Sequence, residues 1–340
     1  MVVKELLDLT PDENIAINGL VESCPFSTPF HKTEWLFIVE KVFHDKIYYL
    51  FDKGCDNKID FALPFFLKKG YLYCDLHSFS MDHELVYGGP LFSPDFHFTE
   101  ASFAKLVGNR LGRIKSVVLT LPPKFDLTEH NVGSLTHVYN TPIIDLSPDI
   151  DTIWNSLEYK NVRCNINKAS KNGVHVVMDN VDHLEILHSY LAKTLQTFNK
   201  PVSPLEYYKE IAKLPFAHIF SAMYDNQPIA VGMIVTHRDT VYYWLNASSP
   251  EYRIYRPNDL LVWEIIKWAK GNDYNCFDFL ITPITDLPGV SRFKLKFGGE
   301  VYPIYEFRLK NIYQVFSKSL YYLSHPGKAI SRLHRTSSEK

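Results

Sequence analysis

One short predicted helix near the carboxyl end of the chain combines aromatic and cationic residues at helical spacing. A turn at Leu287-Pro288-Gly289 precedes it, and Gly298-Gly299 ends it, because glycine adopts the positive φ of a helix C-cap. Phe293 and Phe297 are four residues apart and share one face, so Lys294 points elsewhere. The pattern indicates a cation held at a fixed place; the alternative is an amphipathic surface helix with solvated lysines.

A second predicted helix, over residues 161–171, is basic. Lys160, Arg163 and Lys171 lie near one of its faces, because residues three and four apart are neighbours on a helix surface. Lys168 lies one position round from that face. Arginine and lysine on such a face bind carboxylates or phosphates, and the alternative is a solvated basic face.

A third candidate site lies before the predicted helix over residues 259–270, which Asn258 is expected to cap. The free backbone N–H groups at a helix start attract anions, and Arg253 and Arg256 would strengthen that attraction. The alternative is simple capping of the helix.

Asp278 lies within an apolar predicted strand, where a carboxylate is costly unless it is paired. It therefore has either a structural partner or the role of a base. The histidines and cysteines show no metal-ligand spacing, and phosphate-binding, dinucleotide-binding and serine-hydrolase motifs are absent. The sequence predicts no bound metal and no bound cofactor.

The composition is that of an ordinary globular protein, with 340 residues, 46% hydrophobic residues and a net charge of −2. This charge argues against a generally basic nucleic-acid binder. Scattered cysteines argue against a disulfide framework, and no signal peptide or transmembrane span is evident. We expect a cytoplasmic protein with no obligate protein partner. Its basic tail over residues 313–340 contacts an acidic membrane surface peripherally or RNA, or it solubilises the chain end.

Strands and helices alternate in the same way in both halves of the sequence, which predicts an α/β fold with mixed sheets. A segment with two prolines, residues 140–148, separates the halves. We place one subdomain at residues 1–142 and a second, with the main motifs, at residues 143–312.

The order of several motifs resembles that of the FemABX aminoacyltransferases and related GNAT-like acyltransferases. The motifs extend over roughly residues 24–309 and are Pro25-Phe26 with Trp35, Tyr87-Gly88-Gly89-Pro90, Asp145-Leu146-Ser147, Arg163 with Ile166, Lys168 and Ala169, Arg256 to Leu261, and Phe293-Lys294 with Phe297-Gly298. The resemblance implies two tandem GNAT-like subdomains. It also implies transfer of an aminoacyl or acyl group from an activated ester to an amine of a cell-envelope-type precursor.

The resemblance assigns Lys294, with Phe293 beside it, to the donor end or to the oxyanion of the reaction, and Arg163 and Lys168 to an anionic acceptor. Acyl-CoA-using relatives bind pyrophosphate with a glycine-rich loop, but no glycine lies between Glu251 and Leu261. This departure disfavours acyl-CoA as the donor and leaves aminoacyl-tRNA, or another bulky donor, as the expected one. The alternatives are an acyl-CoA-dependent N-acyltransferase and a non-catalytic binding protein on a transferase scaffold.

Overall fold

The computed structural model describes residues 2–53, 58–69, 74–79, 81–94, 96, 114–125, 135–179, 181–283 and 288–310. A predicted helix over residues 99–111 and the predicted tail over residues 313–340 lie outside the described residues.

Fourteen strands lie in the described residues. They are β1 (Val2–Glu5), β2 (Ile47–Lys53), β3 (Ile59–Lys69), β4 (Cys74–Ser78), β5 (Leu91–Phe92), β6 (Ile114–Thr120), β7 (Leu135–Asp145), β8 (His175–Asp179), β9 (Ala217–Tyr224), β10 (Gln227–His237), β11 (Thr240–Ser248), β12 (Cys276–Asp278), β13 (Thr282–Pro283) and β14 (Glu300–Lys310). The α-helices are α1 (Pro11–Ser23), α2 (Thr33–Phe43), α3 (Ile150–Ser156), α4 (Cys164–Lys171), α5 (Leu184–Gln196), α6 (Leu205–Ile211), α7 (Pro257–Gly271) and α8 (Pro288–Leu295).

The strands form one mixed sheet in the order β1-β2-β3-β4-β6-β14-β7-β12-β11-β10-β9-β8, and β5 and β13 pair with β3 and β7. In each half, four antiparallel strands are followed by a parallel step, β4 to β6 and β11 to β12. An antiparallel strand then completes each half, and these two strands, β14 and β7, pair with each other at the centre. The mixed α/β class predicted from the sequence is confirmed.

The last strand of each half lies beside the other half. β14 comes from the carboxyl end of the chain but pairs with β6, and β7 precedes the second half but pairs with β12. The predicted boundary at residues 142 and 143 falls inside β7, so the sheet continues through it without a break. The division into subdomains at this point stays a prediction.

Two large hydrophobic clusters flank the second half of the sheet. The first joins both halves, since Trp35 of α2 packs edge-on against Trp244 of β11 with ring centroids 4.8 Å apart. The second lies under α3, α4 and α7, where Leu261 and Ile265 are fully buried against strand residues such as Phe277. These clusters fix α7 and β11, the two elements that border the site described below.

Helix α7 begins earlier than the sequence predicted, so Asn258 is not its cap. The helix starts at Pro257, and Arg256 takes the N-cap position with φ of 58°. Proline suits the first helical position because the N–H that it lacks would have no intrahelical partner there. Asn258 instead lies in the first turn, where its side chain donates to the Ser248 hydroxyl at 2.9 Å.

Candidate active site

The site begins where β11 and β12 separate. Their parallel pairing covers only three residue pairs and ends at Tyr242 opposite Asp278. The segment after β12 remains hydrogen-bonded to β7, since Phe279 N–H donates to the Pro142 carbonyl and Thr282 pairs with Asn140. From Tyr243 onwards, β11 therefore pairs only with β10 among the described strands, and a gap opens on its other side.

A cavity of about 820 Å³ fills this gap. Its walls come from α5 and the residues after it, from the unpaired edge of β11, from the start of α7, and from α8. The lining residues are Leu191, Thr194, Phe198, Tyr243, Trp244, Leu245, Asn246, Ala247, Ser248, Arg253, Asn258, Gly289, Val290, Phe293 and Lys294. A volume of this size suits a small-molecule or substrate-end site.

An irregularity in β11 shapes one wall of the cavity. Met233 pairs with Leu245 and Ile234 with Tyr243, so Trp244 is an extra residue in the ladder. Such a bulge bends the strand and changes the direction of a side chain. The Trp244 ring nitrogen donates to the Glu84 carbonyl at 3.3 Å, which ties this wall to the first half of the protein.

Lys294 lies in α8 and lines the cavity, with its side chain half-buried. Its ammonium donates to the backbone carbonyls of Phe279 at 2.6 Å and Ile281 at 2.9 Å, and more weakly to that of Leu280 at 3.4 Å. Burial lowers the pKa of Lys294 to about 8, and the negative charge of Asp278 partly counters this effect. At neutral pH the site therefore holds a cation in a fixed direction.

Asp278 lies behind Lys294 and is almost fully buried. Its carboxylate accepts from the Thr141 hydroxyl at 2.5 Å, from Leu280 N–H at 2.7 Å, and from the Tyr87 hydroxyl at 3.2 Å. Burial raises the pKa of Asp278 to about 6, although these hydrogen bonds and Lys294 favour the ionised form. Asp278 has the structural partners that the sequence analysis offered as one alternative, and it does not line the cavity.

Phe293 of α8 and Phe297, just beyond its end, pack together as their spacing predicted, although the helix ends at Leu295 and not at the Gly298-Gly299 cap that the sequence predicted. Phe293 and Phe297 meet edge-on with centroids 5.4 Å apart, and Phe297 is buried against Phe279. Phe293 also lines the cavity. Lys296 points away from Lys294 and forms an ion pair with buried Asp259 in the first turn of α7.

The arginines before α7 take different positions. Arg253 is exposed and lines the cavity beside Asn258, whereas Arg256 is exposed and does not line it. Arg253 is therefore placed to meet an anionic part of a ligand that enters the cavity.

The structure does not bring Arg163 and Lys168 to this cavity. Arg163 ends a π-helical turn over Tyr159–Arg163, stacks over the Tyr159 ring at 5.2 Å and donates to Asn155 at 3.4 Å. Lys168 is exposed on α4. Helix α4 borders the site only indirectly, through a hydrogen bond from Asn165 to Asp259 in the first turn of α7. Their assignment to the acceptor stays a prediction.

The sequence analysis missed the wall residues of β11 and α5 and the network around Asp278. Trp244, Asn246 and Ser248 read as ordinary alternating strand residues, and Leu191 as part of a helix stripe. The signal that could have found them is topological, because a parallel strand step in a mixed sheet leaves a crevice at its carboxyl end. No local pattern pairs Tyr87 or Thr141 with Asp278.

A family model described as an acetyltransferase (GNAT) domain matches residues 159–295. This interval includes α4, α5, α7, β8 to β13, and α8 with Lys294. This part of the chain is therefore similar to an acyltransferase domain of GNAT type. A comparison with curated protein sequences gave no match.

Solved structures show the same overall fold at low sequence identity. The chain is similar to FemX, with a TM-score of 0.64, 14% identity, and coverage of 91% of this chain and 98% of that chain. It is also similar to the C-terminal domain of a putative lysylphosphatidylglycerol synthetase from Agrobacterium fabrum, with a TM-score of 0.53, 12% identity, and coverage of 86% and 90%. L-PGS from Bacillus licheniformis matches with a TM-score of 0.53, 13% identity and the same coverage.

None of the helices in the described residues combines the length and the apolar character that crossing a bilayer requires. No group of three or more histidine, cysteine, aspartate or glutamate side chains in that part of the chain could hold a metal ion.

Proposed function

We propose that the protein transfers an aminoacyl or acyl group from an activated ester to an amine of a cell-envelope-type precursor. The observation that carries this proposal is the cavity between the separated strands β11 and β12, with the Lys294 ammonium fixed at its wall. Its position within the matched acyltransferase domain supports the same assignment.

The chemistry requires a stabilised oxyanion. The acceptor amine attacks the ester carbonyl carbon, a C–N bond forms and the ester C–O bond breaks. A proton passes from the amine to the departing alkoxide oxygen, which leaves as a hydroxyl. Lys294 makes two short hydrogen bonds and one long bond of 3.4 Å to Leu280. The long bond is weak, so one N–H can turn to a substrate oxygen while the other two hold the ammonium in place.

The donor that we propose is aminoacyl-tRNA. The start of α7, where acyl-CoA enzymes bind pyrophosphate, has one backbone donor fewer here because Pro257 lacks an N–H, and the Asn258 side-chain amide already donates to the Ser248 hydroxyl. Buried Asp259 adds a carboxylate to the same turn, which repels an anion even though Lys296 neutralises part of its charge. Acyl-CoA is the second candidate donor because the matched family model describes acetyltransferases.

The acceptor that we propose is an anionic molecule with a free amine. Arg253 offers a cation at the cavity, and Arg163, Lys168 and Arg256 add positive charge on the surfaces around α4 and the start of α7. One of the similar structures is named as a putative lysylphosphatidylglycerol synthetase, and because phosphatidylglycerol is an anionic lipid, this supports the anionic character of the acceptor.

A thermal-shift screen tests the donor, since binding to the native state raises the melting temperature. The probes are aminoacyl-tRNA, the same tRNA without its amino acid, and acetyl-CoA. We expect stabilisation by aminoacyl-tRNA, less by uncharged tRNA and none by acetyl-CoA, followed by acyl transfer from the stabilising donor to amine acceptors. Stabilisation by acetyl-CoA alone would favour the acyl-CoA enzyme, and ligand binding without transfer would favour a binding protein.

A further inference from the structure

A strained residue lies at the back of the site. Leu280 has φ of 58°, in the left-handed region that a branched, non-glycine residue seldom adopts. Its side chain is buried in the cluster that joins the two halves. Strain of this kind persists only where the surroundings determine the conformation, and it is frequent at functional sites.

The carboxylate of Asp278 determines this conformation. Leu280 N–H donates to Asp278 Oδ1 at 2.7 Å, two residues back along the chain, as in turns closed by an aspartate side chain. Thr141 donates to the same oxygen, and Tyr87 donates to Oδ2. The carboxylate is thus fixed from β7 and from the first half of the protein before it fixes Leu280.

The turn directs backbone carbonyls at Lys294. The oxygens of Phe279 and Ile281, which flank Leu280, lie 2.6 and 2.9 Å from the ammonium nitrogen. A change of Leu280 to negative φ would rotate the adjoining peptide planes and remove this arrangement. We propose that Asp278 is a positioning residue, whose carboxylate holds Leu280 in the left-handed conformation that orients Lys294 for catalysis.

This proposal rests on the proposed role of Lys294 and excludes the alternative that Asp278 is the general base. Both carboxylate oxygens already accept hydrogen bonds from the protein, and Asp278 does not reach the cavity. What the site needs from residue 278 is therefore a hydrogen-bond acceptor at Oδ1 rather than a group that takes a proton from substrate.

The first test separates an acceptor from a base. Asp278→Asn keeps an oxygen for Leu280 N–H and Thr141, whereas Asp278→Ala removes it. We expect Asp278→Asn to retain kcat within about tenfold and Asp278→Ala to lose about a hundredfold, the scale of a lost preorganised donor. Equal loss in both variants would overturn the proposal, because it would mean that the carboxylate itself is required.

The second test restores the turn without the carboxylate. Glycine adopts positive φ freely, so Leu280→Gly in the Asp278→Ala background should recover part of the arrangement. Leu280→Ala in the same background is the matched control, since it also removes the leucine side chain but keeps the backbone penalty. We expect kcat to be at least threefold higher with glycine than with alanine, and equal values would contradict the proposal.

A measurement that needs no substrate separates this proposal from the proposed function. The rate at which an amine reagent modifies Lys294, followed by peptide mass spectrometry, should rise several-fold in Asp278→Ala and fall again when Leu280→Gly is added. Circular dichroism controls for folding. If the modification rates change as expected but Lys294→Ala turns over at a normal rate, the turn is supported and the catalytic role of Lys294 is refuted. If the modification rate in Asp278→Ala equals that of the wild type, the proposed role of Asp278 in the turn is refuted.

Discussion

The two halves of the sheet have the same strand order but use the gap beyond their parallel strand pair differently. In the second half, β12 leaves β11 after Asp278, and the gap is a cavity lined by Lys294. In the first half, β4 ends at Ser78 beside β6, and the protein's own chain returns to fill the corresponding place. There Gly88 N–H donates to the Thr120 carbonyl, and Gly89 N–H to the Ser78 hydroxyl.

This difference shows how one topology supports both packing and chemistry. The segment that fills the first gap also supplies Tyr87, whose hydroxyl reaches Asp278 in the second half. The first half, whose gap is filled, thus helps to hold Asp278 of the second half, whose gap is open. Thr141 adds a further hydrogen bond to Asp278 from β7, which pairs with β14 at the centre of the sheet. The cavity, and not the strand order, distinguishes the second half from the first, since both halves of the sheet have the same strand order.

The largest effect should come from the cation of the open half. We expect Lys294→Ala to lower kcat by about a hundredfold or more, because it removes a preorganised donor at the place where negative charge develops. Lys294→Arg should not restore full activity, since the guanidinium is wider and directs its N–H groups differently. Transfer kinetics with the donor found by thermal shift measure both variants.

A lysine outside the cavity is the control. Lys267 pairs with Glu264 on the surface of α7, and Lys267→Ala should keep kcat within about twofold. Lys296→Ala is unsuitable because it leaves buried Asp259 without its ion pair and should destabilise the fold. Near-normal turnover by Lys294→Ala would show that α8 serves packing only.

The next effect should appear in the stability of the filled half. A Cβ on Gly88 would lie 2.3 Å from the Ser78 carbonyl oxygen, and the backbone there has little room to move. Gly88→Ala should therefore reduce the free energy of unfolding by about 3 kcal/mol, the upper part of the usual overpacking range. Denaturant unfolding of the purified variant measures the loss.

Gly19→Ala provides the comparison for this variant. Gly19 lies within α1, and a Cβ there would meet nothing within 4 Å. Alanine should stabilise that helix by about 0.5–1 kcal/mol. If Gly88→Ala were as harmless as Gly19→Ala, the first gap would be looser than its contacts indicate, and the contrast between the halves would weaken.

The elements around the site were largely predictable, because they follow local patterns. Phe293 and Phe297 at four-residue spacing gave the helix of Lys294, and the apolar strand around Asp278 gave a buried carboxylate. The network Tyr87–Asp278–Thr141 was not predictable, since its members are 191 and 137 residues apart and meet only through sheet topology. The start of α7 was misplaced because Asn258 satisfies a capping pattern, while Pro257 and the turn at Arg256 determine the actual helix start.

The charge of Asp278 should make stability depend on pH in a defined direction. Its pKa is raised from 3.8 to about 6, so the folded protein binds this proton more tightly than the unfolded chain. The wild type should therefore lose stability relative to Asp278→Asn as pH rises from about 4 to about 6, by about 2 kcal/mol. Unfolding curves of both proteins across this range measure the difference.

Asp145 offers a control of opposite sign. Hydrogen bonds from Ser147 lower the pKa of Asp145 below its usual value, so the wild type should gain stability relative to Asp145→Asn as pH rises through the acid range. If the wild type also gained stability relative to Asp278→Asn as pH rises, as it should relative to Asp145→Asn, Asp278 would not titrate as a buried carboxyl.

The smallest effect should distinguish the two arginines beside the open half. Arg253 lines the cavity and Arg256 does not, although the sequence places both before α7. Arg253→Ala should raise KM for the anionic substrate about tenfold and leave kcat nearly unchanged, because a charge-assisted hydrogen bond lost from ground and transition state alike weakens binding uniformly. Arg256→Ala should change KM less than about twofold and serves as the matched control, since both side chains are exposed. Steady-state kinetics at low and high salt measure both, and the Arg253 effect should shrink as salt screens the interaction. An equal effect of the two arginines would indicate that the substrate contacts the outer surface before α7, and the binding site would then extend beyond the cavity toward the basic helix α4.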